Sequence, residues 1–179
     1  MAIEIEIRSF ISKEKYDELL DFFKKEGEFL YEDYQETCYF DSEEDLRIQR
    51  NNFFSKIWLK KGKLHDECRE EIEIKFHRND FEKLEKLFLG LGFSIAVKWF
   101  RMRRAFRWQG VDIMLDYTKG YGFIIELEKQ SDEQNKEAVL ESLRKKMLLL
   151  GVPLTSKQEF DERYNYYKEN WEKLIVDAT

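Results

Sequence analysis

Met1-Ala2-Ile3-Glu4-Ile5-Glu6-Ile7-Arg8 opens the chain and alternates strictly from Ile3 onward. Successive side chains of a β-strand point to opposite faces. Glu4, Glu6 and Arg8 therefore share one face, and Ile3, Ile5 and Ile7 the other. The isoleucine face needs a core. The charged face has two readings. It can be the solvated outside of a sheet, or the lining of a closed one, where two carboxylates and a guanidinium would suit a metal and phosphate. The remaining strands bear on that choice.

Matching alternation recurs along the chain. Leu46 and Ile48 oppose Arg47 and Gln49, and Ile57 and Leu59 oppose Lys56, Trp58 and Lys60. Ile72, Ile74 and Phe76 oppose Arg69, Glu71, Glu73 and Lys75. A long strand over 95–108 carries arginines at 101, 103, 104 and 107. Val111, Ile113 and Leu115 oppose Asp112, Met114 and Asp116, while Phe123, Ile125 and Leu127 oppose Ile124, Glu126 and Glu128. With a strand over 31–41, about eight strands are predicted, joined mostly by short turns that favour antiparallel neighbours. Apolar residues at helical spacing predict helices after Ser12, after Asn79 or Asp80, over 132–149 and over 158–175. The whole chain, 1–179, is expected to form one domain with the last helix packed on it.

Composition bounds the function. The chain has 179 residues, of which 42% are hydrophobic, 38% charged and 16% aromatic, enough for a real core. A net charge of −6 gives no global basic field, so nucleic acid is not an expected partner. Cys38 and Cys68 have neither zinc-ligand nor disulfide-framework spacing, and buried thiols are expected. The N-terminus has no apolar signal-like run and no stretch approaches a membrane span, so a cytoplasmic protein with no membrane partner is expected. Assembly into a homodimer is compatible with the sequence.

The charged faces are partly segregated by sign. Carboxylate pairs at i, i+2 sit at Glu4/Glu6, Glu71/Glu73 and Glu126/Glu128, and basic pairs at Lys56/Lys60 and Arg101/Arg103. An antiparallel sheet with one solvated face would also show charges on one side. A closed sheet of ~8 strands encloses room for side chains or one small ligand. Charges lining such an interior need compensation by a polyanion, a divalent cation or both. Carboxylates suit Mg²⁺ or Mn²⁺, and Arg and Lys suit phosphate oxygens. No Walker-type glycine loop is present, so side chains rather than backbone amides would hold phosphate.

Glu4-x-Glu6-x-Arg8 is similar to the ExExK signature of the CYTH superfamily, the triphosphate tunnel metalloenzymes, which include class IV adenylate cyclases, thiamine triphosphatases and inorganic triphosphatases. The order of later elements extends the resemblance. Tyr39-Phe40-Asp41 resembles the YFD element, Leu46-Arg47-Ile48-Gln49 the LRxR strand, and Trp58-Leu59-Lys60 the strand with a phosphate lysine. Arg69-Glu70-Glu71-Ile72-Glu73 resembles the acidic strand, Arg101-Met102-Arg103 the basic strand, Leu115-Asp116 the LD strand and Glu126-Leu127-Glu128 the ExE strand. The resemblance implies an α+β fold: an eight-stranded antiparallel closed β-barrel, or tunnel, with flanking helices. It implies a divalent-metal-dependent enzyme that hydrolyses an inorganic or organic triphosphate or cyclises ATP, with a non-catalytic triphosphate-binding module as the alternative.

The resemblance also implies roles. Glu4, Glu6, Glu126 and Glu128 would hold Mg²⁺ or Mn²⁺, with Glu73 and Asp116 nearby. Arg8, Arg47, Lys60, Arg101, Arg103 and Lys157 would hold the phosphates of tripolyphosphate, ATP or thiamine triphosphate. Glu4, Glu6 and Arg8 would form the catalytic set. Two departures stand out. Arg8 replaces the signature lysine and, unlike lysine, cannot give up a proton. Gln49 replaces an arginine and removes one positive charge. Elsewhere His65 and His77 are expected near turns and exposed, Trp58 is expected to pack, and Arg104 is expected to form a surface pair opposite Arg103.

Overall fold

A computed structural model describes residues 3–60 and 71–177 of the chain. Cys68, His65 and the Arg69-Glu70 part of the acidic motif lie outside the described residues. The strand β1, Ile3–Ile11, ends at Ser12, whose side chain accepts from the Lys15 N–H at 3.1 Å and caps helix α1, Lys13–Glu26. Gly27 follows α1 with an extended φ of −109°, so it is not there for left-handed backbone. It is there for space: a Cβ would lie 2.9 Å from the Phe23 carbonyl oxygen. That close passage lets β2, Glu28–Phe40, leave the helix at once, earlier than the predicted start at 31.

The remaining elements are β3 (Asp45–Arg50), β4 (Ser55–Lys60), β5 (Glu71–Phe76), a 3₁₀ turn (Arg78–Asp80), α2 (Phe81–Gly90), β6 (Ile95–Trp108), β7 (Val111–Thr118), β8 (Gly122–Ser131), α3 (Lys136–Leu149) and α4 (Lys157–Asp177). Gln109 (φ 49°) and Gly110 (φ 71°) make the tight β6–β7 hairpin, the backbone such two-residue turns require. α3 starts later than the predicted 132 because the Asp132 carboxylate accepts from the Asn135 N–H at 2.9 Å and holds a turn there.

The strands form one eight-stranded sheet in the order β1-β8-β7-β6-β2-β3-β4-β5, with four α-helices, so the α+β class holds. Among the described residues the sheet is not closed by hydrogen bonds. β1 and β5 end the order, and among the described residues they pair with β8 and β4 respectively.

The chain divides into two compact units, Met1–Glu32 with Met102–Tyr166 and Asp33–Arg101 with Tyr167–Thr179. In the first, α1 and α3 cover the apolar face of β1, β7 and β8. Leu19, Phe23, Ile113, Leu115, Ile125, Leu127, Leu143 and Met147 are buried together there. In the second, α2 packs Phe81 and Leu84 on Cys38, Phe40 and Ile48. Burial pushes the Cys38 thiol up to about 12, as expected for an inert thiol. No helix among the described residues is long and apolar enough to cross a membrane.

Phe23 is fully buried and its ring meets Phe106 and Trp108 at centroid distances of 5.8 Å. Phe23→Ala is expected to cost about 3–5 kcal/mol in urea unfolding. A loss below about 1 kcal/mol would mean that α1 does not anchor this core.

Candidate functional site

In the first unit the strand register decides which charges meet. β1 pairs with β8 so that Glu6 lies opposite Glu128 and Arg8 opposite Glu126. β8 pairs with β7 so that Glu128 also faces Asp112, and Glu126 faces Met114. Directly opposed residues share a face. Glu4, Glu6, Arg8, Glu126, Glu128 and Asp116 therefore occupy the face opposite the α1–α3 core, as the alternation predicts. β6 adds Arg103 to the same group. Its Nε donates to Asp116 Oδ1 at 2.8 Å, and its Nη2 to Asp116 Oδ2 at 2.7 Å and Glu126 Oε1 at 3.2 Å. Arg104, on the other face, donates to Glu32 at 2.6 Å and to the Tyr16 hydroxyl at 2.8 Å, the pair its position predicts.

Crowding carboxylates has an electrostatic signature. Burial pushes Glu128 up to about 8, helped by a hydrogen bond with Glu4 and by the charges of Glu4, Glu126 and Glu6. Glu6 is also raised, first by the protein crowded around it although it still meets solvent, then by the Glu126 and Glu4 charges, with Arg8 and Arg103 opposing. Gln130 Nε2 donates to Glu4 at 3.1 Å. The all-carboxylate donor set Glu4, Glu6, Glu126 and Glu128 fits a hard divalent cation. Among the described residues, however, no three such side chains are already gathered in a geometry that would hold a metal.

A pH dependence follows. Glu128 binds a proton more tightly in the folded chain than in the unfolded one, where the ordinary value is 4.5. The folded state then holds more protons between 4.5 and about 8, so stability is fully present below that window and is lost as pH rises through it. A divalent cation competes with those protons. The metal-free melting temperature should therefore fall from pH 5 to pH 8, and the rise produced by Mn²⁺ should grow over the same range. A Mn²⁺ shift that shrinks with pH would contradict the coupling.

Arg8 stands 5.0 Å from the centroid of the Phe160 ring, which is buried at the start of α4 and also packs on Phe10. Lys157 begins α4 and is exposed. Phe160 is an apolar position of the predicted last helix, and nothing local marks a residue so distant in sequence as a partner of Arg8.

The second unit holds the other candidates. Arg47 Nε donates to Asp45 Oδ1 at 2.6 Å, its Nη2 also pairs with Asp45, and its Nη1 donates to the Tyr39 hydroxyl at 3.1 Å. Its guanidinium lies 4.5 Å from the Tyr39 ring centroid and 5.6 Å from that of Trp58. Trp58 thus packs as expected, with the Lys56 ammonium 3.2 Å from its ring centroid. Lys56 donates to Glu73 at 2.9 Å. Burial acts to raise the Glu73 carboxyl, yet Lys56 and Lys75 hold it below its usual range, so this candidate metal ligand is committed to lysines. Gln49, in place of an arginine, donates to Thr37 Oγ1 at 2.9 Å. Lys60 closes β4 opposite Asp45 and Glu71, and its side chain lies outside the description. His77 is exposed and accepts from the Asn79 N–H at 3.3 Å, a turn role as expected. The Asp45–Arg47 pair was missed, although two residues on one strand face at i, i+2 are legible in sequence.

Known proteins resemble the chain in sequence and fold. A curated protein named "Putative adenylate cyclase MJ0240", from Methanocaldococcus jannaschii, is 30% identical over 162 residues, covering 84% of this chain and 90% of its own. The solved PH1819 protein of Pyrococcus horikoshii superposes with a TM-score of 0.71 at 26% identity, covering 96% of this chain and 99% of that one. A conserved hypothetical protein of Pyrococcus furiosus gives 0.68 at 26% identity, covering 84% and 92%. The CYTH domain family matches residues 2–164, which include the β1 carboxylates, the β8 carboxylates and every arginine described above, and the chain belongs to that family.

Proposed function

We propose that the chain is a divalent-metal-dependent enzyme acting on triphosphates, with residues 1–179 working as one CYTH-type domain. The observation that carries this reading is the gathering of Glu4, Glu6, Glu126 and Glu128 on one face, where burial first and the neighbouring carboxylates second raise Glu6 and Glu128. Such a set is costly without a cation and is relieved by one. Glu4, Glu6, Glu126 and Glu128 would hold Mg²⁺ or Mn²⁺. Asp116 and Glu73 are spent on Arg103 and Lys56 and serve as supports. Bound there, the cation supplies charge neutralisation for phosphate oxygens and acidifies water.

The chain's own residues supply the rest. Arg8 and Arg103 in the first unit, and Arg47, Lys60 and Arg101 in the second, carry the phosphate roles, with Lys157 from α4. Their positive charge disperses the negative charge that develops as a phosphorus–oxygen bond breaks. Arg8 keeps its proton, so it binds and orients rather than acting as a base. In hydrolysis, water attacks phosphorus and a phosphate leaves. In cyclisation, the ribose 3′-hydroxyl attacks the α-phosphorus and pyrophosphate leaves. Release of phosphate or pyrophosphate, read beside cyclic AMP, separates these.

A second reading rests on Arg8 and Gln49: a triphosphate-binding module without turnover. Arg8→Lys discriminates. The enzyme reading expects turnover to change by no more than about threefold, under about 1 kcal/mol of barrier. Turnover appearing only in Arg8→Lys would favour the module.

A further inference from the structure

In the second unit Arg101 is held by a relay of hydrogen bonds that runs back to a turn. Gln35 Oε1 accepts from Arg101 Nε at 2.9 Å and from Nη2 at 2.6 Å. Gln35 Nε2 donates to Asp33 Oδ2 at 2.9 Å, and Asp33 Oδ1 accepts from the Asn52 backbone N–H at 2.9 Å. Asp33 and Gln35 are 3% and 9% exposed, so the middle of the relay is shielded from solvent. The turn that anchors it is itself closed by Asn51, whose side-chain oxygen accepts from the Phe53 and Phe54 N–H groups at 2.8 Å.

A glutamine amide can present either end to a neighbour. A guanidinium only donates, so the Gln35 carbonyl faces Arg101 and the NH₂ end turns to Asp33. The result is an arginine oriented along one edge by a neutral oxygen. Arg47 and Arg103 are oriented differently, by the carboxylates of Asp45 and Asp116. The Gln35 carbonyl orients the guanidinium through two of its N–H groups. We propose that Gln35, set by Asp33, is a positioning residue that fixes Arg101 for the phosphate chain of the substrate. This rests on the reading of Arg101 as a phosphate ligand.

The test is a double-mutant cycle on the full chain, with Mg²⁺ and tripolyphosphate as the probe, reading KM, kcat and melting temperature. Arg101→Ala is expected to weaken tripolyphosphate about 10–100-fold, the range for one charge-assisted hydrogen-bonding partner. Gln35→Met, of similar volume, is expected to raise KM about tenfold with a smaller change in kcat. In the Arg101→Ala background Gln35→Met should add less than about twofold, because the two act as one. Asp33→Asn frees the amide to turn and should give an intermediate loss. It also completes the cycle should Gln35→Met not fold. If Gln35→Met and Asp33→Asn lower only the melting temperature, or weaken binding equally with and without Arg101, the positioning role is overturned while the phosphate role of Arg101 stands. If Arg101→Ala leaves tripolyphosphate binding unchanged, the reading of Arg101 fails first and the positioning role with it.

Discussion

Arg103→Met is expected to destabilise the chain by about 3–5 kcal/mol, the cost of removing one member of a buried ion pair. At this length that is a fall of about 10 °C in melting temperature. The Arg103 side chain is 14% exposed, Asp116 3% and Glu126 11%, so the two carboxylates would lose the guanidinium that neutralises them away from water. Burial acts against the Arg103 charge, yet Asp116 and Glu126 hold its proton tightly, well above the usual guanidinium range. The double variant Arg103→Met with Asp116→Leu should recover part of the loss, because Glu126 still lacks the guanidinium. A loss below about 1 kcal/mol for Arg103→Met would show that the group is solvated in practice. The consequence for function is that Arg103 cannot be tested by deletion alone. Lost activity in that variant would mix a phosphate contact with the collapse of its surroundings.

The second large effect has the opposite character. Glu4→Ala and Glu6→Ala should each reduce metal-dependent turnover by at least ~100-fold, since outer partners of metal ligands alone cost up to about that much. Neither change touches the core, because both side chains lie on the face opposite Ile5 and Ile7. Glu6→Gln sharpens the contrast. It removes one charge from a crowded set, so the metal-free protein at pH 8 should melt higher than wild type while its Mn²⁺ shift shrinks. A residue whose neutralisation stabilises the fold and removes metal coupling is held for function at a cost in stability. Turnover unchanged in both alanine variants would place the metal elsewhere.

Much of this was legible in the sequence because strand alternation is a local property. The faces of β1, β7 and β8 follow from it directly, and so does the opposition of Arg103 and Arg104. What alternation cannot give is register. That Glu6 meets Glu128 rather than Gln130 depends on how β1 and β8 align, more than a hundred residues apart, and the raised Glu128 carboxyl depends on that alignment. Partnership was likewise hidden. The resemblance puts Asp116 and Glu73 near the metal, and only the structure shows that they pair with Arg103 and Lys56. The resemblance implied a closed barrel, and the hydrogen-bonded order stops at β1 and β5. Gly27 shows the same limit on a small scale: a helix end is readable, but the contact with the Phe23 carbonyl that makes a side chain intolerable there is not.

The central claim is that the carboxylate face takes a divalent cation and acts with it on a triphosphate. The most direct measurement is a panel of tripolyphosphate, ATP and thiamine triphosphate, each with Mg²⁺ and with Mn²⁺, followed for phosphate, pyrophosphate and cyclic AMP. Product is expected from at least one triphosphate, with the metal required and the activity lost in Glu6→Ala. No product from any of the three, together with a melting temperature that neither metal nor triphosphate moves, would contradict it.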